Sequence, residues 1–65
     1  MGLTVGEVKE NADYNLNTES TISGIMRLIG KEQLKNYNIA KELGADDEDD
    51  WLDWETKVEE YANNS

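Results

Sequence analysis

The sequence predicts an all-α fold: a small single domain of three to four short helices that ends in an amphipathic acidic helix. Three observations support this class. The chain has 65 residues, which allows one core. A capping-box pattern stands near its start, and apolar residues recur at helical spacing in two later segments. Because a chain this short buries only about 60% of its unfolded surface, we expect modest stability and a single domain over residues 1–65.

The first helix is predicted from a local signal. Thr4 and Glu7 have the spacing of a capping box, with threonine as the N-cap. The helix is expected over residues 5–12. Residues 13–18 are rich in turn-forming types and are expected to form a loop.

The second helix is predicted over residues 18–29. Ile22, Ile25, Met26 and Ile29 are spaced i, i+3, i+4 and i+7, which places them on one face of a helix. Gly30 then takes the place of a C-terminal cap, and Gly24 indicates a close approach by another element. A strand is the competing interpretation, because Thr and Ile also favour strands.

Residues 31–43 are less regular. They form either a helix that packs on two sides or two pieces that break near residues 36–38, and Gly44 is a second C-cap candidate.

The last helix has the clearest pattern. Trp51, Trp54, Val58 and Tyr61 are spaced 3, 4 and 3 and form a narrow apolar seam. The acidic residues 46–50 are expected to fill the first turn of this helix, where the helix dipole favours them. Asp46 or Asp47 is the expected N-cap of this helix.

The charge of the chain is strongly asymmetric. The net charge is −9, with 15 acidic and 6 basic residues. Residues 1–44 hold six acids and five bases and are nearly neutral, whereas residues 45–65 hold nine acids and one base. Such an asymmetry is typical of a face that meets a basic partner, and the alternative is a solvated surface that keeps the protein monomeric. It also argues against direct binding to nucleic acid.

Composition excludes most catalytic chemistry. The chain has no Cys and no His, so thiolate chemistry, the commonest general base and the commonest metal ligand are all missing. The acidic run fails the calcium-loop pattern, since Trp51 stands where glycine is needed and Lys57 where glutamate is needed. We expect no enzyme activity, no metal and no cofactor. The longest apolar run is too short for a membrane span and no secretory signal is visible, so we expect a cytoplasmic protein without membrane contact.

Residues 39–44, Ile-Ala-Lys-Glu-Leu-Gly, resemble the first helix and turn of a helix-turn-helix motif. The resemblance implies that a DNA-reading helix follows. The sequence departs from that pattern directly afterwards, because residues 46–50 are all acidic. Their negative charge is unsuited to a major groove, where Lys, Arg, Asn and Gln contact phosphates and base edges. The alternative is that these residues are an ordinary helix end, because any short helix that ends in Leu-Gly has the same sequence pattern.

The sign of the charge suggests a different function. If residues 46–60 are helical, nine acids lie along about 22 Å, or one charge per roughly 2.5 Å, against one per roughly 1.7 Å in duplex DNA. We therefore expect an inhibitor that binds a basic nucleic-acid-binding protein. DNA mimicry is one mechanism by which such an inhibitor could act. The expected contact residues are Asp46, Asp47, Glu48, Asp49, Asp50, Leu52, Asp53, Glu59 and Glu60.

Small acidic proteins without catalytic motifs are typical of phages and other mobile elements. The target classes are therefore a CRISPR or restriction effector, a polymerase or a repressor. Two alternatives stay open: a structural protein whose aromatic seam forms a helical homo-oligomer, such as a homodimer, and an antitoxin-like partner of a basic protein. In the inhibitor hypothesis the aromatic residues of the seam belong to the core, and in the homo-oligomer hypothesis they form the interface. These residues are Trp51, Trp54 and Tyr61.

Overall fold

The computed structural model describes residues 2–17 and 23–64, which form three α-helices. They are α1 (Val5–Leu16), α2 (Ser23–Glu42) and α3 (Trp51–Asn64). The all-α prediction is confirmed, and the described part of the chain holds no strand, only an isolated antiparallel bridge between Thr4 and Asp50. Residues 23–42 are one continuous helix, so the expected stop at Gly30 is wrong. Of the two alternatives for residues 31–43, the break near residues 36–38 does not occur.

Helix α1 begins at the predicted capping box. The Glu7 backbone N–H donates to Thr4 Oγ1 at 3.1 Å, and the Thr4 backbone N–H donates to Glu7 Oε1 at 3.0 Å. The helix continues to Leu16, beyond the expected end at residue 12. An ion pair between Lys9 and Asp13, at 2.7 Å, spans the additional turn.

The crossing of α1 and α2 depends on Gly30, which is buried inside α2. A Cβ at this position would lie 2.9 Å from the Ala12 carbonyl oxygen and 2.9 Å from Leu16 Cγ. Glycine therefore allows the two helix backbones to approach closely. The same role is expected for Gly24, but no atom of residues 2–17 and 23–64 lies within 4 Å of a Cβ there, so no described element approaches it closely.

Helix α2 ends in a Schellman motif. Gly44 has φ +108°, the left-handed region that favours glycine. The Ala45 N–H donates to the Ala40 carbonyl at 2.9 Å, and the Gly44 N–H donates to the Lys41 carbonyl at 3.1 Å. Ala40 and Ala45 are also buried together in the core. The prediction of Gly44 as a C-cap residue is confirmed.

The core is built from small side chains. Its buried apolar members are Val5, Val8, Ala12, Ala40, Ala45 and Val58. The predicted apolar face of α2 is largely uncovered, because Ile25 is 65% exposed and Ile29 is 47% exposed. Met26 is half-buried, and Ile22 lies outside the described residues.

Candidate protein-binding surface

The acidic run is a loop and not the first turn of a helix. Residues 43–50 connect α2 to α3, and α3 begins at Trp51. Asp50 is the residue that caps it, since its Oδ1 accepts the Leu52 N–H at 3.1 Å. The expectation that Asp46 or Asp47 caps a helix is therefore wrong. The eight-residue connection is also longer than the three to four residues of a helix-turn-helix, so the resemblance does not extend to the structure.

The backbone of this loop holds the start of α1. The N–H of Val5 donates to the Asp49 carbonyl at 2.9 Å, and the N–H of Gly6 donates to the Asp47 carbonyl at 2.8 Å. In return, the Trp51 N–H donates to the Leu3 carbonyl at 2.7 Å. The first N–H groups of a helix lack partners within the helix. The loop supplies these partners and places its negative charge at the positive end of the α1 dipole.

The side chains of Asp47 and Asp49 also serve the fold. Asp47 Oδ1 accepts from Tyr37 Oη at 3.0 Å and from Lys41 Nζ at 3.3 Å. These two hydrogen bonds, that of Tyr37 first, lower the pKa of the Asp47 carboxyl below its ordinary value. Asp49 Oδ2 accepts from Trp54 Nε1 at 3.1 Å and from the Asp46 N–H at 3.0 Å. Neutralising the whole run would therefore disturb the fold.

The acidic side chains that are exposed and form no hydrogen bonds within the described part of the fold lie mostly on α3. We call the acidic face the set Leu52, Asp53, Glu55, Glu59 and Glu60, all exposed. None of its four carboxylates forms an ion pair or a side-chain hydrogen bond with another described residue. Glu48 in the loop is exposed in the same way. The structure thus separates the expected contact residues into a structural group and an available group.

Leu52 is the apolar member of the acidic face and is 67% exposed. Glu55 and Glu59 follow at i+3 and i+7, which places them on the same side of α3 as Leu52. Glu55 was not among the expected contact residues. The i, i+3 spacing of Leu52 and Glu55 is the sequence signal that places Glu55 beside Leu52.

The aromatic seam faces the opposite side of α3. Trp51 and Trp54 are half-buried and pack against the core cluster, in which Val58 is 2% exposed. Lys57 Nζ lies 4.5 Å from the centre of the Trp54 ring, a cation–π contact. Tyr61 remains 40% exposed and donates to Glu42 Oε2 at 3.5 Å. These contacts use most of the seam inside the molecule.

Within residues 2–17 and 23–64, no group of three acidic side chains has the geometry to hold a metal ion. Over the same residues, no helix is long and apolar enough to cross a membrane.

Comparison with known proteins adds no relative. No family model, no curated protein and no solved structure matches the chain.

Proposed function

We propose that this protein is an inhibitor that binds a basic, nucleic-acid-binding protein through the acidic face and occupies its nucleic-acid site. The observation that carries the proposal is the exposed Leu52 beside Glu55 and Glu59. An exposed leucine within an acidic surface supplies an apolar contact, while the surrounding carboxylates supply attraction to lysine and arginine.

The charge available on α3 is considerable for so small a surface. Its four acids lie between Asp53 and Glu60, a rise of about 10.5 Å at 1.5 Å per residue. This corresponds to one carboxylate per roughly 3 Å, against one phosphate per roughly 1.7 Å of duplex DNA. The one base of α3, Lys57, lies over the Trp54 ring on another side of the helix. The acidic face is therefore suited to compete for a cleft that attracts phosphates.

The loop of residues 43–50 adds negative charge next to the acidic face, and hydrogen bonds fix the positions of its carboxylates. Asp47, Asp49 and Asp50 have structural hydrogen bonds, so their carboxylates are held in place at the end of α3. A fixed charge arrangement loses less conformational entropy on binding than a flexible acidic tail.

The test compares two variants with the same change in charge. Glu55→Gln with Glu59→Gln removes two charges from the acidic face, and Glu10→Gln with Glu32→Gln removes two exposed charges from α1 and α2. Each is used as bait in bacterial lysate beside the native protein. We expect the native protein and the control to retain a nucleic-acid-binding protein that duplex DNA displaces, and the E55Q/E59Q variant to lose it.

Two results would overturn the proposal. One is equal retention by the E55Q/E59Q variant and the control. The other is a retained protein that duplex DNA fails to displace. Leu52→Gln adds a separate check, since the apolar contact predicts weaker retention at unchanged charge.

A further inference from the structure

An apolar patch lies on the N-terminal half of α2. It consists of Ile25, Leu28 and Ile29, which are 65%, 67% and 47% exposed. Their spacing of i, i+3 and i+4 places them on one face of the helix. Three large aliphatic side chains on one face are more than the single exposed apolar residues that are normal on a surface.

The patch has a basic edge. Arg27, Lys31 and Lys35 are spaced by four residues and form a row along α2 beside Leu28. All three are exposed, and none forms an ion pair with a described residue. Three of the six bases of the chain thus adjoin this apolar patch.

The nature of the complementary surface follows from this arrangement. A binding surface for the patch needs an exposed apolar side chain with carboxylates beside it. The acidic face of α3 has that composition, with Leu52 beside Glu55 and Glu59. In a symmetric patch-to-patch dimer with antiparallel α2 helices, the two rows of bases would lie on the same side of the interface, which opposes that dimer.

We propose that the occupant of the patch is a second copy of this chain, which binds head to tail through its acidic face. Leu52 of one copy packs against Ile25, Leu28 and Ile29 of the next, and Glu55 and Glu59 meet the row of bases. Because the two surfaces differ, each added copy leaves one patch and one acidic face free. The product is an open chain or a ring, and its formation removes acidic faces from solution.

This inference goes beyond the proposed function and does not depend on it. Self-association is measured with the purified protein alone, whereas inhibition is measured against a basic partner. Failure of one test leaves the other unaffected.

The experiment is analytical ultracentrifugation of the native chain and two variants over a concentration series. Ile25→Gln with Leu28→Gln removes the patch, and Leu52→Gln with Glu59→Gln removes its complement. These positions are exposed, so the fold is expected to be retained, as circular dichroism verifies. If the first variant loses helicity, Leu28→Gln alone takes its place.

We expect the native chain to form dimers and larger species, and each variant to remain monomeric. An equimolar mixture of the two variants should form a dimer and stop there, because it contains one intact pair of surfaces. Raising NaCl from about 50 mM to about 500 mM should weaken native association by roughly tenfold, since screening acts on exposed charge pairs.

Four results would overturn the proposal: a native chain that stays monomeric at every concentration, a variant that associates as the native chain does, a mixture of folded variants that remains monomeric, or association that is insensitive to salt. Persistent dimers of the L52Q/E59Q variant would indicate a symmetric dimer instead.

Discussion

Replacement of Gly30 by alanine tests whether the crossing of α1 and α2 depends on the missing side chain. Alanine raises helix propensity by about 1 kcal/mol over glycine. At this position the new Cβ would also lie 2.9 Å from the Ala12 carbonyl oxygen, 2.9 Å from Leu16 Cγ and 3.1 Å from Asn15 Cβ. The Ala12 oxygen belongs to the backbone and cannot rotate away, so α1 must shift.

The magnitude follows from these two opposing effects. Overpacking of this kind costs roughly 1–3 kcal/mol, and the backbone contact places Gly30→Ala in the upper half of that range. After the gain in propensity, we expect a net loss of about 1–2 kcal/mol in the free energy of unfolding. For a domain of this size, the corresponding fall in Tm is roughly 5–15 °C.

Gly24→Ala is the matched control. It makes the same chemical change in the same helix, but within the described part of the chain no atom lies within 4 Å of the new Cβ. We expect an unchanged or higher stability, by up to about 1 kcal/mol. Urea unfolding followed by circular dichroism measures both variants. If Gly30→Ala is as stable as Gly24→Ala, the close helix crossing does not exist in solution.

Two further predictions concern the loop and the core. In Asp47→Asn the hydrogen bonds from Tyr37 and Lys41 lose their charged acceptor. The folded-state pKa of Asp47 is lowered. The carboxylate therefore contributes to stability above its unfolded-state pKa, and this contribution disappears as the pH falls through the folded-state pKa. The stability difference between native protein and D47N should therefore shrink from pH 7 to pH 2 in urea titrations, and a difference of equal size at both pH values would contradict this role of Asp47. Val58→Ala removes two buried methyl groups and should lower the free energy of unfolding by about 2 kcal/mol. That is a large part of the roughly 3–10 kcal/mol expected for 65 residues, and a thermal melt that is unchanged would contradict the burial of Val58.

Two signals at helix ends could be predicted because their partners lie within a few residues. The Thr4–Glu7 capping box joins neighbours three apart, and Gly44 closes a turn over the last residues of α2. Neither depends on where the rest of the chain lies. Local hydrogen bonding therefore suffices to predict these two ends.

The candidate surface could be predicted only in part. Leu52, Asp53, Glu59 and Glu60 lie together on an exposed side of α3, as the helical wheel requires. Asp47 and Asp49 do not join them, because their partners Tyr37, Lys41 and Trp54 come from other parts of the chain. Spacing alone does not show whether an aspartate is free or bound within the fold.

What the sequence determined by itself is the helical class, the charge asymmetry and the local helix ends, since these depend on composition and near neighbours. The tertiary structure decided the rest through contacts between distant residues. Gly30 does not end a helix because α1 packs directly on it, and residues 46–50 do not form a helix because their carbonyls accept from the start of α1. The spacing of Ile25 and Ile29 places them on one face of α2, yet both are exposed because α1 packs on another side of the helix, around Gly30. A periodic pattern shows that a helix has an apolar side, and only packing decides whether that side is covered.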